Sequence, residues 1–436
     1  MSQESAGQGD GLPIPAVMVR ARMLDVARAA LAAVNGATVV RHALAGYSGS
    51  VDLVAIGKAA DAMATGALDS PGVVVERGLV IAPHGVESPE SATHPGVRIL
   101  TAGHPLPDRH SLDAGQALVD FIASAAPDRR LLFLISGGAS ALVERLPDGL
   151  TLTDWRKANA WLLGSGLAID AVNSVRRGLS NLKGGRLARH LGGRSAHVLL
   201  LSDVPGDSPG DIGSGLLVAD PGPPLSPKAL GLPSWLVRML GRAVPGPAPD
   251  DPVFGQLDVE VVASNRHALA GAAERARELG FMPSIAPAPL NGDARAQGRQ
   301  IAEALLAMPV GMTIYGGETV VTLPKRPGRG GRNQHLALAA AEVLAGHEGL
   351  FLLALGTDGR DGPTADAGAL VDGGTLLRGA AAGVDAKNCL DRADAGYFLS
   401  ASGDLIRTGP TGTNVMDLVI GLRLVAGVTG RRQAAW

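Results

Sequence analysis

"LLFLISGGASAL", residues 131–142, is the stretch on which the reading of the fold turns. An unbroken apolar run, Leu131 to Ile135, stops at Ser136-Gly137-Gly138. A short apolar run closed by turn residues reads as a strand buried on both faces, the kind found in parallel sheets. Three readings of the loop compete. It is an ordinary turn, a nucleophile elbow around Ser140, or a cradle of backbone N–H groups for a phosphate.

The same unit recurs on both sides. "VDLVAIG" (51–57) reads as a strand and "KAADAMATGAL" begins a helix. "GLVIAP" is a strand, "SLDAGQALVDFIASA" a helix, and "AHVLLLSDVPGD" a strand running into a loop. Residues 15–34 read as an amphipathic helix, and "TDWRKANAWLLGSG" and "AIDAVNSVRRGLSNLKGGRLARHL" as helical stretches. Short apolar strands alternating with helices predict a doubly wound parallel sheet. Residues 221–253 are proline-dense and read as a linker with one short helix around residues 234–242. A second α/β region follows from "DVEVVASNRHALAGAAERARELGF". In it "MTIYGGETVVTL" reads as a pair of strands around a glycine turn and "NVMDLVIGLRL" as the last strand.

Bulk composition narrows the class. The 436 residues suggest two or three domains. A formal net charge of -2 argues against a nucleic-acid binder, which carries a basic face. The single cysteine, Cys389, excludes an internal disulfide framework and a cysteine metal cluster. The opening "MSQESAGQGDGLPIP" lacks the basic start and apolar core of a secretory signal, and no uncharged run approaches a membrane span. The expectation is a cytoplasmic protein with residues 1–14 as a disordered tail. Glycine, at 60 residues, is about twice its usual ~7% share and clusters where apolar runs end. Strand ends are where open α/β sheets bind ligands.

Two cations sit where a helix disfavours them: Lys58 in the first turn after "VAIG", and Arg332 at the start of the helix after "RPGRGG". Such helix starts bind anions through free N–H groups and the dipole. A glycine loop, a helix start and a cation together suit a phosphate or carboxylate; the plain alternative is a solvated charge. Lys183 and Arg186 flank the Gly184-Gly185 pair in the same style. Asp203, Asp207 and Asp211 follow one strand; Asp358, Asp361 and Asp366 follow another. Aspartate beside glycine is common in turns, but carboxylates at strand ends also hold magnesium against phosphates.

The absences matter too. There is no G-x-x-x-x-G-K-[ST], no G-x-G-x-x-G and no H-E-x-x-H. "GGASAL" misses the nucleophile elbow because Leu142 stands where the last glycine belongs. His84, His94, His104 and His110 show no ligand spacing and read as structural or exposed, with His104 in "GHPLPD" beside a turn bordering the cleft.

Taken in order, "AIGKAADAMA", "GHPLPDRHSLDAG", "LISGGASALVERLPDGLTL", "VRRGLSNLKGGRLA", "SDVPGDSPGDIGSG", "GGETVVTLPKRPGRGGRNQHLALAAA", "GTDGRDGPTADAGA" and "TGPTGTNVMDL" closely resemble the class I glycerate 2-kinase family, whose C-terminal part is the MOFRL domain. The resemblance spans nearly the whole chain. It implies an α/β protein of two domains: an N-terminal Rossmann-like three-layer domain on a parallel sheet (15–220) and a smaller C-terminal α/β domain (254–430), with the active site in the cleft between them. It implies phosphorylation of D-glycerate at its 2-hydroxyl by ATP with Mg2+. The alternatives are a hydroxypyruvate reductase, a label some family members carry, or a kinase of a related hydroxy acid. The family lysine falls on Lys58 and the family arginine on Arg332, the two catalytic candidates. Ser136, Gly137, Gly138, Ser140, Lys183, Gly184, Glu318, Gly331 and Asn333 are the binding candidates; Asp203, Asp207, Asp358 and Asp361 are the metal candidates. Expected partners are small molecules only, with no nucleic acid or membrane, in a monomer or homodimer. Two positions depart from the family pattern: Gly178 stands where a histidine is frequent, and Leu216 where a proline is usual.

Overall fold

The computed structural model describes residues 15–425, apart from 87–88, 168 and 221–225. The expected N-terminal tail lies outside the described residues. The chain forms two compact units. One comprises Ala32–His267 and Thr411–Met416; the other comprises the chain as far as Leu31, Ala268–Pro410 and the segment from Asp417.

The first unit is built on six strands: β1 (Gly49–Ile56), β2 (Val73–Pro83), β3 (Val97–Ala102), β4 (Arg130–Ile135), β5 (Ala196–Leu201) and β6 (Leu257–Ala263). Their order is β3-β2-β1-β4-β5-β6 and every pairing is parallel. This is the Rossmann order, and its direction of winding reverses between β1 and β4. The quoted stretch therefore decides the fold: Leu131 to Ile135 form the central strand β4, buried throughout. Ligands bind such sheets in the crevice outside the carboxyl ends of the strands flanking the reversal. The loops after β1 and β4 hold Lys58 and Ser136-Gly137-Gly138.

The second unit carries β7 (Pro283–Ile285), β8 (Gly311–Gly317), β9 (Leu350–Gly356), β10 (Gly368–Asp372), β11 (Leu405–Ile406) and β12 (Asp417–Arg423). Only the β7–β8 pair is parallel; the other pairings are antiparallel, in the order β11-β10-β9-β12-β8-β7. Helix Arg332–Leu344 covers this sheet and is buried around nearly its whole circumference, with an apolar middle, Leu336–Ala341, that suits this position. Its alanines admit helix Ala294–Ala307 so closely that a side chain on Gly298 would overlap the Leu336 carbonyl.

Several boundaries differ from the sequence reading. "DVEVVA" completes the first sheet as β6 instead of opening the second domain, because its residues pair with β5. The proline-dense stretch does contain its short helix, Ser234–Leu240. It is not a bare linker, since Leu236 and Met239 pack with Ala158, Leu162 and Val175 in a small core. "MTIYGGETVVTL" supplies only β8; Val320 makes an isolated bridge to Asp293. Among the described residues no single helix is long and apolar enough to cross a membrane. The bent pair α1 (Ala16–Ala33) and α2 (Gly36–Ala43) passes by length and composition alone.

Candidate active site

In the first unit, the loops after β1 and β4 are bonded to each other. Lys58 N donates to the Gly137 carbonyl at 2.9 Å, and Ala59 N donates to Ser136 Oγ at 3.0 Å. Lys58 stands just before α3 (Ala60–Leu68), next to its cap residue Ala59 and not in its first turn. Ser136 is fully buried and accepts at the start of α3. The hydroxyl of this binding candidate thus fastens one loop to the other.

Gly137 and Gly138 form the floor on which other groups converge. A side chain on Gly137 would overlap the Asp203 carboxylate and the Asn414 amide. Gly138 has φ +85°, and a Cβ there would meet the His104 ring at 3.0 Å and Lys58 Cγ at 3.3 Å. Only glycine fits a left-handed position under that crowding. Asp203 follows β5 and accepts from Asn414 Nδ2 at 3.0 Å. Lys58, His104, Gly137-Gly138, Asp203 and Asn414 therefore share one corner, at the carboxyl edge of the sheet.

Asn414 was not among the expected residues. It sits in the Thr411–Met416 segment. Asn35 Nδ2 donates to the Thr411 carbonyl at 3.2 Å, and Asn265 Nδ2 donates to the Val415 carbonyl at 2.8 Å. The polar run "TGTN" immediately before a buried strand was the available signal.

Other candidates in this unit make contacts within the fold. Lys183 is buried and ion-paired with the equally buried Glu144, so its charge is spent internally. Gly184 N and Gly185 N donate to the Ser214 and Gly215 carbonyls at 3.1 and 2.7 Å. That loop offers neither of these donors to a ligand. Ser140 Oγ lies 2.8 Å from Ser214 Oγ, with no histidine between them to make it a nucleophile. Asp207 has φ +53° and faces Arg266 at 3.8 Å, away from the Gly137 contact made by Asp203.

The second unit has its own cluster. Asp417, at the start of β12, pairs in register with Gly317 at the end of β8 and Gly356 at the end of β9. Glu318 follows the first of these strand ends directly, and Asp358 follows the second after Thr357. Arg332, the first residue of its helix, grips Asp417 with two nitrogens, Nε at 2.6 Å and Nη2 at 2.9 Å. Its Nη1 meets Glu318 at 2.7 Å. Asp417 is 2% exposed, whereas Glu318 is 44% exposed. Burial works against the Arg332 charge, but Asp417 and Glu318 more than offset it and its pKa lies above the ordinary value.

Asp361 corrects the sequence reading of this helix start. Its carboxylate accepts from Asn333 N at 3.0 Å and Gln334 N at 2.7 Å. Gly331, the residue capping the helix, contributes no side-chain bond. The helix N-terminus already holds a carboxyl group, and that group belongs to the protein. Each of its oxygens accepts a backbone N–H of the first turn, so Asp361 caps this helix from a distant loop. Burial pushes its pKa up, the two N–H groups pull it back, and the balance stands at about 7. Asn333 Nδ2 adds a longer contact to the same carboxylate at 3.3 Å. Asp358 is half-buried and accepts from Arg360 N at 3.0 Å.

Asp417 was missed as well. Its signal was a carboxylate inside "NVMDLVIGL", an apolar run where a charge must find a partner.

Comparison with known proteins agrees with this architecture. A profile described as a domain of unknown function, DUF4147, matches residues 22–227, and the MOFRL family profile matches residues 311–417. A D-glycerate 2-kinase of Thermotoga maritima is 38% identical over 386 residues, 85% of this chain and 90% of that protein. The crystal structure of glycerate kinase from the same organism superposes with a TM-score of 0.81 at 33% identity, covering 94% of this chain and all of the other. An Agrobacterium vitis protein provisionally named a hydroxypyruvate reductase is 37% identical, over 84% of this chain and 85% of its own length. The chain belongs to the MOFRL-containing glycerate kinase family.

Proposed function

We propose that this protein transfers the terminal phosphoryl group of ATP to the 2-hydroxyl of D-glycerate, giving 2-phosphoglycerate and ADP, as a cytoplasmic enzyme. The observation that carries the reading is the corner at the Rossmann reversal. There a lysine, a glycine pair and a strand-end carboxylate stand where a sheet of this order binds phosphorylated ligands.

Phosphoryl transfer asks a protein for positioning and charge neutralisation more than for covalent chemistry. Lys58 supplies a compact cation beside Gly137-Gly138 for phosphate oxygens. Asp203 suits magnesium, a hard cation that takes one or two carboxylates and completes its shell with substrate phosphates. When bound, Mg2+ would neutralise charge on those phosphates. In the second unit, Asp358 is a carboxylate of the same fitting chemistry.

Arg332 is built to be anchored on one side and exchangeable on the other. The buried Asp417 pair fixes the guanidinium plane. The exposed Glu318 contact is of the kind worth about 0–1 kcal/mol, so an incoming phosphate or glycerate carboxylate displaces it at small cost. Arginine suits either anion because its fork matches two oxygens.

A reductase reading finds no support at β1. The turn after this strand carries the dinucleotide fingerprint in a nicotinamide enzyme; here it reads Gly57-Lys58-Ala59-Ala60. The test is direct: D-glycerate with ATP and Mg2+ is expected to give ADP in step with a phosphorylated acid. Oxidation of NADH or NADPH by hydroxypyruvate, without ATP consumption, would overturn the assignment.

A further inference from the structure

Three side chains outside the site just described converge on one point. His84 follows β2, Asp108 caps α4 (Arg109–Ala123), and His110 stands in the first turn of that helix. His84 Nε2 lies 2.8 Å and His110 Nδ1 3.4 Å from Asp108 Oδ2. One ligand-type atom from each residue lies within 4.8 Å of the other two. The sequence hid this set because His84 and Asp108 come from different loops.

The two oxygens of Asp108 divide their work. Oδ1 accepts from Gly103 N and Ser111 N, both at 3.1 Å, which fixes the carboxylate plane. Oδ2 faces the two imidazoles. His84 is oriented from behind, its Nδ1 meeting Thr101 Oγ1 at 3.2 Å. A histidine held through one ring nitrogen, with the other aimed at a carboxylate and a second histidine, is the arrangement that outer partners impose on metal ligands. The rings stand edge to face with centroids 5.1 Å apart, so both can address one ion without stacking.

We propose that His84, Asp108 and His110 form a binding site for a divalent transition-metal ion of borderline softness, Zn2+ foremost. Two imidazoles and a carboxylate are its preferred donors, while Mg2+ prefers oxygen alone. Zinc bonds of about 2.0–2.1 Å in a tetrahedral shell place ligand atoms roughly 3.4 Å apart. The His110–Asp108 spacing already has this value, and the His84–Asp108 spacing needs to widen by about half an ångström. Three protein donors leave at least one position for water or an outside ligand. The exposed faces of His84 and His110, 45% and 64% exposed, open that position to solvent. Asp108 also tethers Gly103, whose neighbour His104 packs on Gly138, so an ion here would stiffen the loop that supports the glycine floor.

The test is titration of the chelator-stripped full-length protein with Zn2+, and separately with Co2+, in excess Mg2+. The wild type is expected to take up one equivalent of Zn2+ and to give visible cobalt bands. That equivalent should vanish in His84→Ala and in Asp108→Asn, and persist in His347→Ala, a change at an exposed histidine elsewhere. Asp108→Asn keeps an oxygen for Gly103 and Ser111 while replacing the metal-facing oxygen with an amide. Unchanged metal-free circular dichroism would show that the variants fold. No Zn2+ uptake by the wild type, or equal uptake by folded His84→Ala, would overturn the proposal.

Discussion

Arg332 and Lys58 carry similar charge and face different surroundings. Arg332 is clamped by a fully buried carboxylate, so its removal takes from Asp417 the guanidinium that grips it with two nitrogens. Arg332→Ala is expected to cost roughly 3 kcal/mol of stability, the low end for breaking a buried pair because the guanidinium is partly exposed. Glu318→Gln, on the exposed side, should cost less than about 1 kcal/mol. Urea unfolding of the two variants distinguishes these outcomes; equal losses would contradict the anchored-and-exchangeable account. Lys58→Ala should lower kcat by at least about 100-fold, the scale of losing one charge-stabilising donor. Lys58→Ala turnover near the wild-type rate, in folded protein, would remove Lys58 from the chemistry. Both positions were legible in the sequence because a cation at a helix start breaks a local preference. Their partners were not, because Asp417 is 85 residues from Arg332 and the bond joins a helix start to a strand start.

At the scale of elements, the strand–loop–helix units deliver the site. The apolar run of β4 was readable as a buried strand, and its glycine pair as a close-approach loop. What approaches it was not readable, since Asp203, His104 and Asn414 arrive from three other loops. Gly137→Ala should therefore lower activity by pushing Asp203 and Asn414 aside, at a cost in the ~1–3 kcal/mol range of overpacking. An active and equally stable Gly137→Ala protein would show that the contact with Asp203 is dispensable.

The Arg332–Leu344 helix shows the opposite outcome: a sequence-derived anion site that the protein fills itself. Asp361 binds its proton more tightly folded, at about 7, than unfolded, at the ordinary 3.8. Between these values the folded state holds more protons, so stability is favoured at low pH and lost as pH rises towards 7. Relative to Asp361→Asn, the wild type should lose up to roughly 1.4 kcal/mol per pH unit over that window, levelling above it. A constant difference between the two proteins from pH 5 to pH 8 would contradict the assignment.

For the whole molecule, the fold class was legible because alternation of strand and helix leaves few topologies open. The division into units was less so. A strand's sheet is set by its pairing partner and not by its place in sequence, as β6 shows, while the Thr411–Met416 segment joins the first unit through hydrogen bonds from Asn35 and Asn265. The central claim is chemical and specific: phosphate is placed on the 2-oxygen of D-glycerate. The most direct measurement is the phosphorus NMR spectrum of the product formed from D-glycerate, ATP and Mg2+. Phosphate on the 2-oxygen couples to a single carbon-bound proton and gives a doublet, which this account predicts. A triplet, from phosphate on the 3-oxygen beside two protons, or no new ester signal at all, would contradict it.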